Sequence, residues 1–237
     1  QGHATTFAQI LSDRLGVDAD RIEVLEGDTA MVPNGTGTFG SRSSGVGGAA
    51  LMLAAEKVIE KGRKAAAHHL EAGEGDIEFT DGVFSVAGTD KSMAFGEVAL
   101  TAYVPHNFPH DVLEPGLEEN AFYDPANFTF PGGCHICEVE VDPDTGFLKF
   151  LNYWVVEDCG TVLNPQLVDE QVRGGVIQGL GGALMEECRY DVAGNLVNAN
   201  MADYLVPMAG EMPDISVGHV ETPTADSELG AKGAGEA

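Results

Sequence analysis

GTGTFGSRSSGVGG, Gly35 to Gly48, joins six glycines to hydroxyl side chains and a lone arginine, Arg42, just ahead of an apolar run opening at Val46. Glycine reaches positive φ and lets another group approach the main chain closely. Exposed N–H groups, hydroxyls and one guanidinium can grip phosphate or a polar heterocycle. The helix expected from Val46 favours negative charge at its N-terminal end. A flexible surface loop is the alternative that composition allows equally. Gly35, Gly37 and Gly40 fit the G-x-G-x-x-G dinucleotide fingerprint, but Asp28 to Asn34, including Pro33, separate it from the preceding apolar run. A nicotinamide-binding dehydrogenase is therefore a minor reading. A Walker-type loop is excluded, because no lysine lies between Asp28 and Glu56.

Outward from this loop, 237 residues suffice for one large domain or two small ones. The formal charge of -26 argues against nucleic acid and anionic membrane as partners. No apolar run is long enough to span a bilayer. The chain opens Gln1-Gly2-His3 without methionine and closes inside a glycine-rich motif, so both ends are expected to be cut from a longer protein, and a targeting signal would not be visible.

Four cysteines occur, Cys134, Cys137, Cys159 and Cys188. Cys134 and Cys137 form a lone C-x-x-C that runs into the alternating pattern of a strand, where thiols three apart face opposite ways. All four are expected to be buried, reduced and structural rather than metal ligands.

In chain order, Ala4 to Leu15 reads as a helix stopped by Gly16, and Arg21 to Leu25 as a short strand. Val46 to about Leu70 is a long helix, with His68 and His69 at a solvated end. Ile77 to Val86 reads as a hairpin over Asp81-Gly82. A short helix is expected to be capped by Ser92 and to run through Phe95 to Ala102. The proline-bearing stretch 104–133 carries little periodicity. Cys134–Val141 and Phe147–Glu157 form a hairpin over Asp142-Pro143-Asp144-Thr145-Gly146. Val168 to Leu184 is a helix with Gln171, Gly175, Gln178 and Gly182 on one face, which suits a ligand or a packing groove. A hairpin across Gly194-Asn195, a strand at Ile215–Val220 and a tight turn at Gly230–Glu236 complete the chain. Without strict β-α-β alternation the expected class is α+β, as mixed helices and hairpins in two subdomains, 1–103 and 134–237, joined by the loop 104–133.

The glycine-bearing segments together resemble the molybdenum hydroxylase family, the group of xanthine dehydrogenase, aldehyde oxidase and aerobic carbon monoxide dehydrogenase. Gln1-Gly2-His3 is similar to the family's Gln-Gly-His turn. Gly40-Ser41-Arg42-Ser43 is similar to the Gly-Ser-Arg-Ser loop of the carbon-monoxide-dehydrogenase-like branch. Asp158-Cys159-Gly160, Asn164-Pro165, Gln171 and Gln178-Gly179 follow its D-C-G…N-P…Q…Q-G order, and Lys232-Gly233-Ala234-Gly235-Glu236 its K-G-x-G-E end. Asp169-Glu170 departs from the usual Glu-Gly before the glutamine.

The resemblance implies the C-terminal third of a large subunit that holds molybdopterin, in many bacteria as its cytosine dinucleotide, with the metal bound by the pterin rather than by protein ligands. Gln1, Gly2, His3, Gly40, Ser41, Arg42, Ser43, Gln171, Gly233 and Gly235 would contact this cofactor. Glu236 would be the catalytic base for oxidation with water-derived oxygen; a carboxylate becomes more basic when desolvated, so partial burial is expected of it. The implied partners are the N-terminal part of the large chain, a 2Fe-2S small subunit and an FAD medium subunit, in the cytoplasm. In this family, carbon monoxide chemistry depends on a copper-binding cysteine loop upstream of Gln1, so carbon monoxide, aldehydes and N-heterocycles all stay open as substrates. The fragment by itself is expected to be inactive, and a scaffold or interface role is the non-catalytic alternative.

Overall fold

The structure, a computed structural model, describes every residue except Pro33, Thr36, Pro105 and Ala237. The expectations touching Pro33, Thr36 and Pro105 lie outside the described residues. The class is α+β, and the chain divides into two compact units. One comprises Gly2–Phe39 and Ser43–Ala126; the other comprises Gln1, Gly40–Arg42 and Asn127–Ala237.

The first unit holds helices α1 (His3–Leu15), α2 (Ser43–Leu70) and α3 (Phe95–Tyr103) and a sheet of β1 (Ile77–Thr80), β2 (Val83–Val86) and β3 (Ser92–Ala94) in that order. Gly16 ends α1 in the left-handed conformation, where a β-carbon would lie 2.2 Å from the Gly82 nitrogen. The helix stop thus sits against the Asp81-Gly82 turn, whose residues both have positive φ, as a type I′ hairpin requires. The alanine run Ala65–Ala67 and Gly62 let Phe84 sink against α2 until it is fully buried, and a β-carbon at Gly62 would lie 2.5 Å from its ring. Phe79, Phe84 and Phe95 cluster around that contact, with Phe79 and Phe84 centroids 4.5 Å apart. Phe108 and Leu117, from the stretch without periodicity, complete this core.

The second unit holds the hairpin β4 (Gly132–Val141) and β5 (Leu148–Asp158), helix α4 (Pro165–Leu184) and β6 (Ile215–His219). The sheet order is β4-β5-β6, antiparallel between β4 and β5 and parallel between β5 and β6. Asn164 caps α4 by accepting the Leu167 N–H at 3.1 Å, with Pro165 as the first helical residue, where its missing donor costs nothing. Val172 and Val176 of α4 pack on Val155 and Ile215 to form the core.

Several expectations are corrected. Arg21 to Leu25 is no strand: a 3-10 turn at Ala19–Arg21 leads into extended backbone without a ladder partner. Helix α2 starts at Ser43, three residues before its apolar pattern, since a first turn tolerates polar residues. Ser92 pairs with Ser85 in β3, and α3 is capped instead by Glu97 accepting the Ala94 N–H at 2.7 Å. His69 is half-buried rather than solvated, and burial, then the neighbouring His68, pushes its pKa down. Only Cys159 is buried; Cys134, Cys137 and Cys188 are exposed and all four are free. The two β4 thiols lie on the sheet's edge strand, away from the contact of α4 with β5 and β6. The hairpin across Gly194-Asn195 reduces to one bridge, Tyr190 with Leu196. There the buried Asn198 amide supplements the backbone bonds between the arms, accepting from Arg189 N–H at 2.9 Å and donating to Glu187 O at 2.5 Å.

Phe84→Ala should lower the unfolding free energy by about 3–5 kcal/mol, the usual cost of emptying a fully buried phenylalanine site, read from denaturant midpoints at unchanged slope.

Candidate functional site

The turn at the end of β5 and the C-terminal turn are built against each other. Gly160 has φ +70, and a β-carbon there would lie 2.2 Å from the Gly230 carbonyl oxygen, so only glycine permits the approach. Across this contact Thr161 N–H donates to Gly230 O at 3.0 Å and Lys232 N–H to Cys159 O at 2.7 Å. Lys232 Nζ lies 3.2 Å from Asp158 Oδ1, with its side chain 10% exposed. Asp158 also accepts the N–H groups of Gly160 and Thr222 at 2.9 and 3.0 Å. The Thr222 hydroxyl and these N–H groups hold its carboxyl far below the usual carboxylate range, with Lys232 adding to the effect. Burial pushes the adjacent Cys159 thiol up, leaving it a neutral packing group.

Three further segments meet the C-terminal turn. Ser41 Oγ donates to Ala234 O at 3.1 Å. A β-carbon at Gly233 would lie 3.1 Å from Ser41 Cβ and 3.3 Å from Glu236 Oε2. Gly235, at φ +80, has Gln171 O where a β-carbon would be 2.7 Å away, and its N–H donates to Glu157 Oε2 at 3.3 Å. The structure therefore brings together Ser41, Gln171, Gly233, Gly235 and Glu236. Gly40 and Ser41 both have positive φ (54° and 47°), which turns the chain sharply ahead of Arg42. Arg42 is exposed and Gln171 half-buried, and neither side chain has a partner among the described residues. Gln1, exposed, belongs to this same unit.

Gly2, His3 and Ser43 belong to the other unit. Gly2 is the left-handed residue from which α1 starts, and His3 stacks on Phe7 with its Nδ1 3.8 Å from a Glu26 carboxylate oxygen. Ser43 Oγ is 2.8 Å from Thr38 Oγ1. Glu236 is exposed, so the partial burial expected of a base is not supplied by these residues. Of the glutamine face of α4, Gln178 and Gly182 are exposed, while the close packing of that helix falls on Gly181, against Pro207. The dinucleotide fingerprint lacks its strand: among the described residues of 22–39 no strand forms.

Glu157, Asp158 and Lys232 are the residues that motif reading passes over. Asp158 and Lys232 lie inside the quoted motifs, and Glu157 follows Tyr153 and Val155 on one strand face, a periodicity that flags a carboxylate on the core side. No group of three or more His, Cys, Asp or Glu among the described residues could hold a metal ion. The donor set is instead two polar side chains without a partner among the described residues, Arg42 and Gln171, with Gly40 beside Arg42 open to close approach, since a β-carbon there would meet nothing within 4 Å. That set fits an anionic, hydrogen-bonding cofactor approached at main-chain distance.

Residues 1–213 match the molybdopterin cofactor-binding domain, and the chain belongs to that family. It is 42% identical over 236 residues to the carbon monoxide dehydrogenase large chain of Hydrogenophaga pseudoflava, covering 100% of this chain and 29% of that one. It is 39% identical over 237 residues to the nicotine 6-hydroxylase large subunit of Paenarthrobacter nicotinovorans, again 100% and 29%. Among solved structures it matches reconstituted CO dehydrogenase from Oligotropha carboxidovorans with TM-score 0.90 and 42% identity, over 99% of this chain and 29% of that one. Quinoline 2-oxidoreductase from Pseudomonas putida 86 matches with TM-score 0.86 and 40% identity, over 100% and 30%. The chain thus spans under a third of the length of these relatives. Among the described residues no helix is long and apolar enough to cross a membrane.

Asp158→Ala should speed amide exchange at Gly160 and Thr222. A depressed carboxyl contributes above its ordinary range and loses that contribution as pH falls through the folded value. The difference from wild type should therefore hold across neutral pH and close only in strong acid.

Proposed function

We propose that this chain is the cofactor-binding, base-bearing C-terminal part of the large chain of a molybdenum-dependent oxidoreductase that oxidises a small substrate with oxygen from water. The observation that carries the reading is the meeting of Ser41, Gln171 and the Gly233–Glu236 turn within one unit. Gln1, Gly40, Ser41, Arg42, Gln171, Gly233 and Gly235, all of one unit, would hold the molybdopterin, in its cytosine dinucleotide form. Arg42 and the N–H groups of the 40–43 turn suit its phosphates, and Gln171 its polar ring. The bound cofactor supplies the redox chemistry; the protein orients it.

Glu236 is the general base, taking the proton from the water-derived nucleophile at its carboxylate. Gly235 directly before it and Gly233 three residues before it add no side chains to the turn, which leaves the carboxylate able to approach within hydrogen-bond reach. Because Glu236 is exposed in this chain, the N-terminal part of the large chain is the element that desolvates it. Partner subunits carrying 2Fe-2S and FAD would supply the onward path for electrons, and the complex works in the cytoplasm. Relatives of nearly equal similarity carry the names of carbon monoxide, nicotine and quinoline enzymes. What this chain shares with them is the cofactor end of the site, and the substrate end is set elsewhere in the large chain. The fragment by itself is inactive.

In the assembled enzyme, Glu236→Gln should cut turnover at least about a thousandfold while molybdenum content stays normal, as expected when a general base is removed from the transition state alone. Loss of metal in step with activity would make Glu236 structural. Arg42→Ala should instead lower cofactor content, measured as released nucleotide per enzyme.

A further inference from the structure

Among the described residues, Glu157 is the one charged side chain that is buried, at 7% exposure. A carboxylate taken out of water is costly unless donors compensate it. Here its Oε2 accepts the Gly235 N–H at 3.3 Å. The side chain has room because β4 offers glycine opposite it: a β-carbon at Gly133 would lie 3.2 Å from Glu157 Cγ. Its main chain is held from both sides, paired with Gly133 on β4 and His219 on β6, and its carbonyl accepts the Val220 N–H at 2.9 Å. A residue whose main chain is held on both sides, near the end of the sheet's middle strand, gives its side chain a rigid base and acts as a post. Gly235, by contrast, is a left-handed glycine one peptide from Glu236, in a stretch with no helix or strand of its own. On its other side Gly235 abuts the Gln171 carbonyl oxygen, so the post and the helix clamp one residue between them.

We propose that Glu157 is a positioning residue whose buried carboxylate holds the Gly235 N–H and thereby fixes where the Glu236 carboxylate points. The inference rests on Glu236 being the base, and its own content is the Glu157–Gly235 contact. The same peptide is held at its carbonyl end by Ser41 Oγ donating to Ala234 O, whereas Lys232 N–H to Cys159 O acts farther from Glu236 along the chain. Glu157 is the anchor on the N–H side of this peptide, the side that leads into Glu236.

The test uses the assembled enzyme with E157A, E157Q and E157D, and reads amide exchange at Gly235, molybdenum content and the split between kcat and KM. E157A should speed exchange at Gly235 and leave molybdenum content unchanged. It should lower kcat by about tenfold to a hundredfold with little change in KM, the range expected when a reacting group is misplaced by about an ångström. E157Q keeps an acceptor oxygen and should recover most of the protection and of kcat. E157D keeps the charge but loses reach, so it should behave as E157A and substitutes for it if the alanine variant does not fold. Unchanged exchange in E157A and E157D, or a kcat loss that only follows lost molybdenum, would overturn the proposal. Normal turnover by E236Q would remove the base assignment instead, and exchange at Gly235 would still report whether Glu157 holds it.

Discussion

Everything in the candidate site depends on a close approach of two main-chain turns. Gly160 and Gly230 come so near that no side chain fits at Gly160, and the Gly230 carbonyl accepts from both Thr161 and Thr224, each at 3.0 Å. Without that approach Lys232 would not reach Asp158, and the C-terminal turn would have no fixed place on the end of β5. Backbone-to-backbone contact of this kind is rigid because neither partner has a rotamer to change. It turns the glycine-rich stretch Gly230–Gly235, which has no helix or strand of its own, into a defined wall.

Electrostatics sharpen the same picture. The chain carries 38 acidic against 12 basic residues, so its overall field repels an anionic cofactor. Binding must therefore be arranged locally. Lys232 is spent on Asp158 and is nearly buried with it, which makes it a structural cation. Arg42, exposed, has no partner among the described residues and keeps its guanidinium free. One cation locks the turn and the other is available for binding, and burial decides which does which.

The hairpins and helix ends were legible wherever one residue type dictates local geometry. Gly16 stops α1, Asp81-Gly82 makes the tight turn, Asp142 to Gly146 joins β4 to β5, and Asn164-Pro165 opens α4. Residues whose state depends on neighbours were not legible. Arg21 to Leu25 has the composition of a strand but meets no partner. Cys134 and Cys137 have the composition of core residues but sit on an edge strand. Asn198, a polar residue with no motif, is fully enclosed because its amide satisfies Arg189 N–H and Glu187 O, backbone groups that this irregular turn leaves to it.

The sequence by itself determined the α+β class, the glycine turns and the order of motifs that the molybdopterin cofactor-binding domain shares, because these follow from local backbone freedom and from residue identity. Only the tertiary structure decided that β6 runs parallel to β5, that Gln171 and Ser41 both close on the C-terminal turn, and that Glu157 is buried beneath it. Those outcomes depend on segments far apart in the chain packing into the same space, and no local pattern encodes the distance between them.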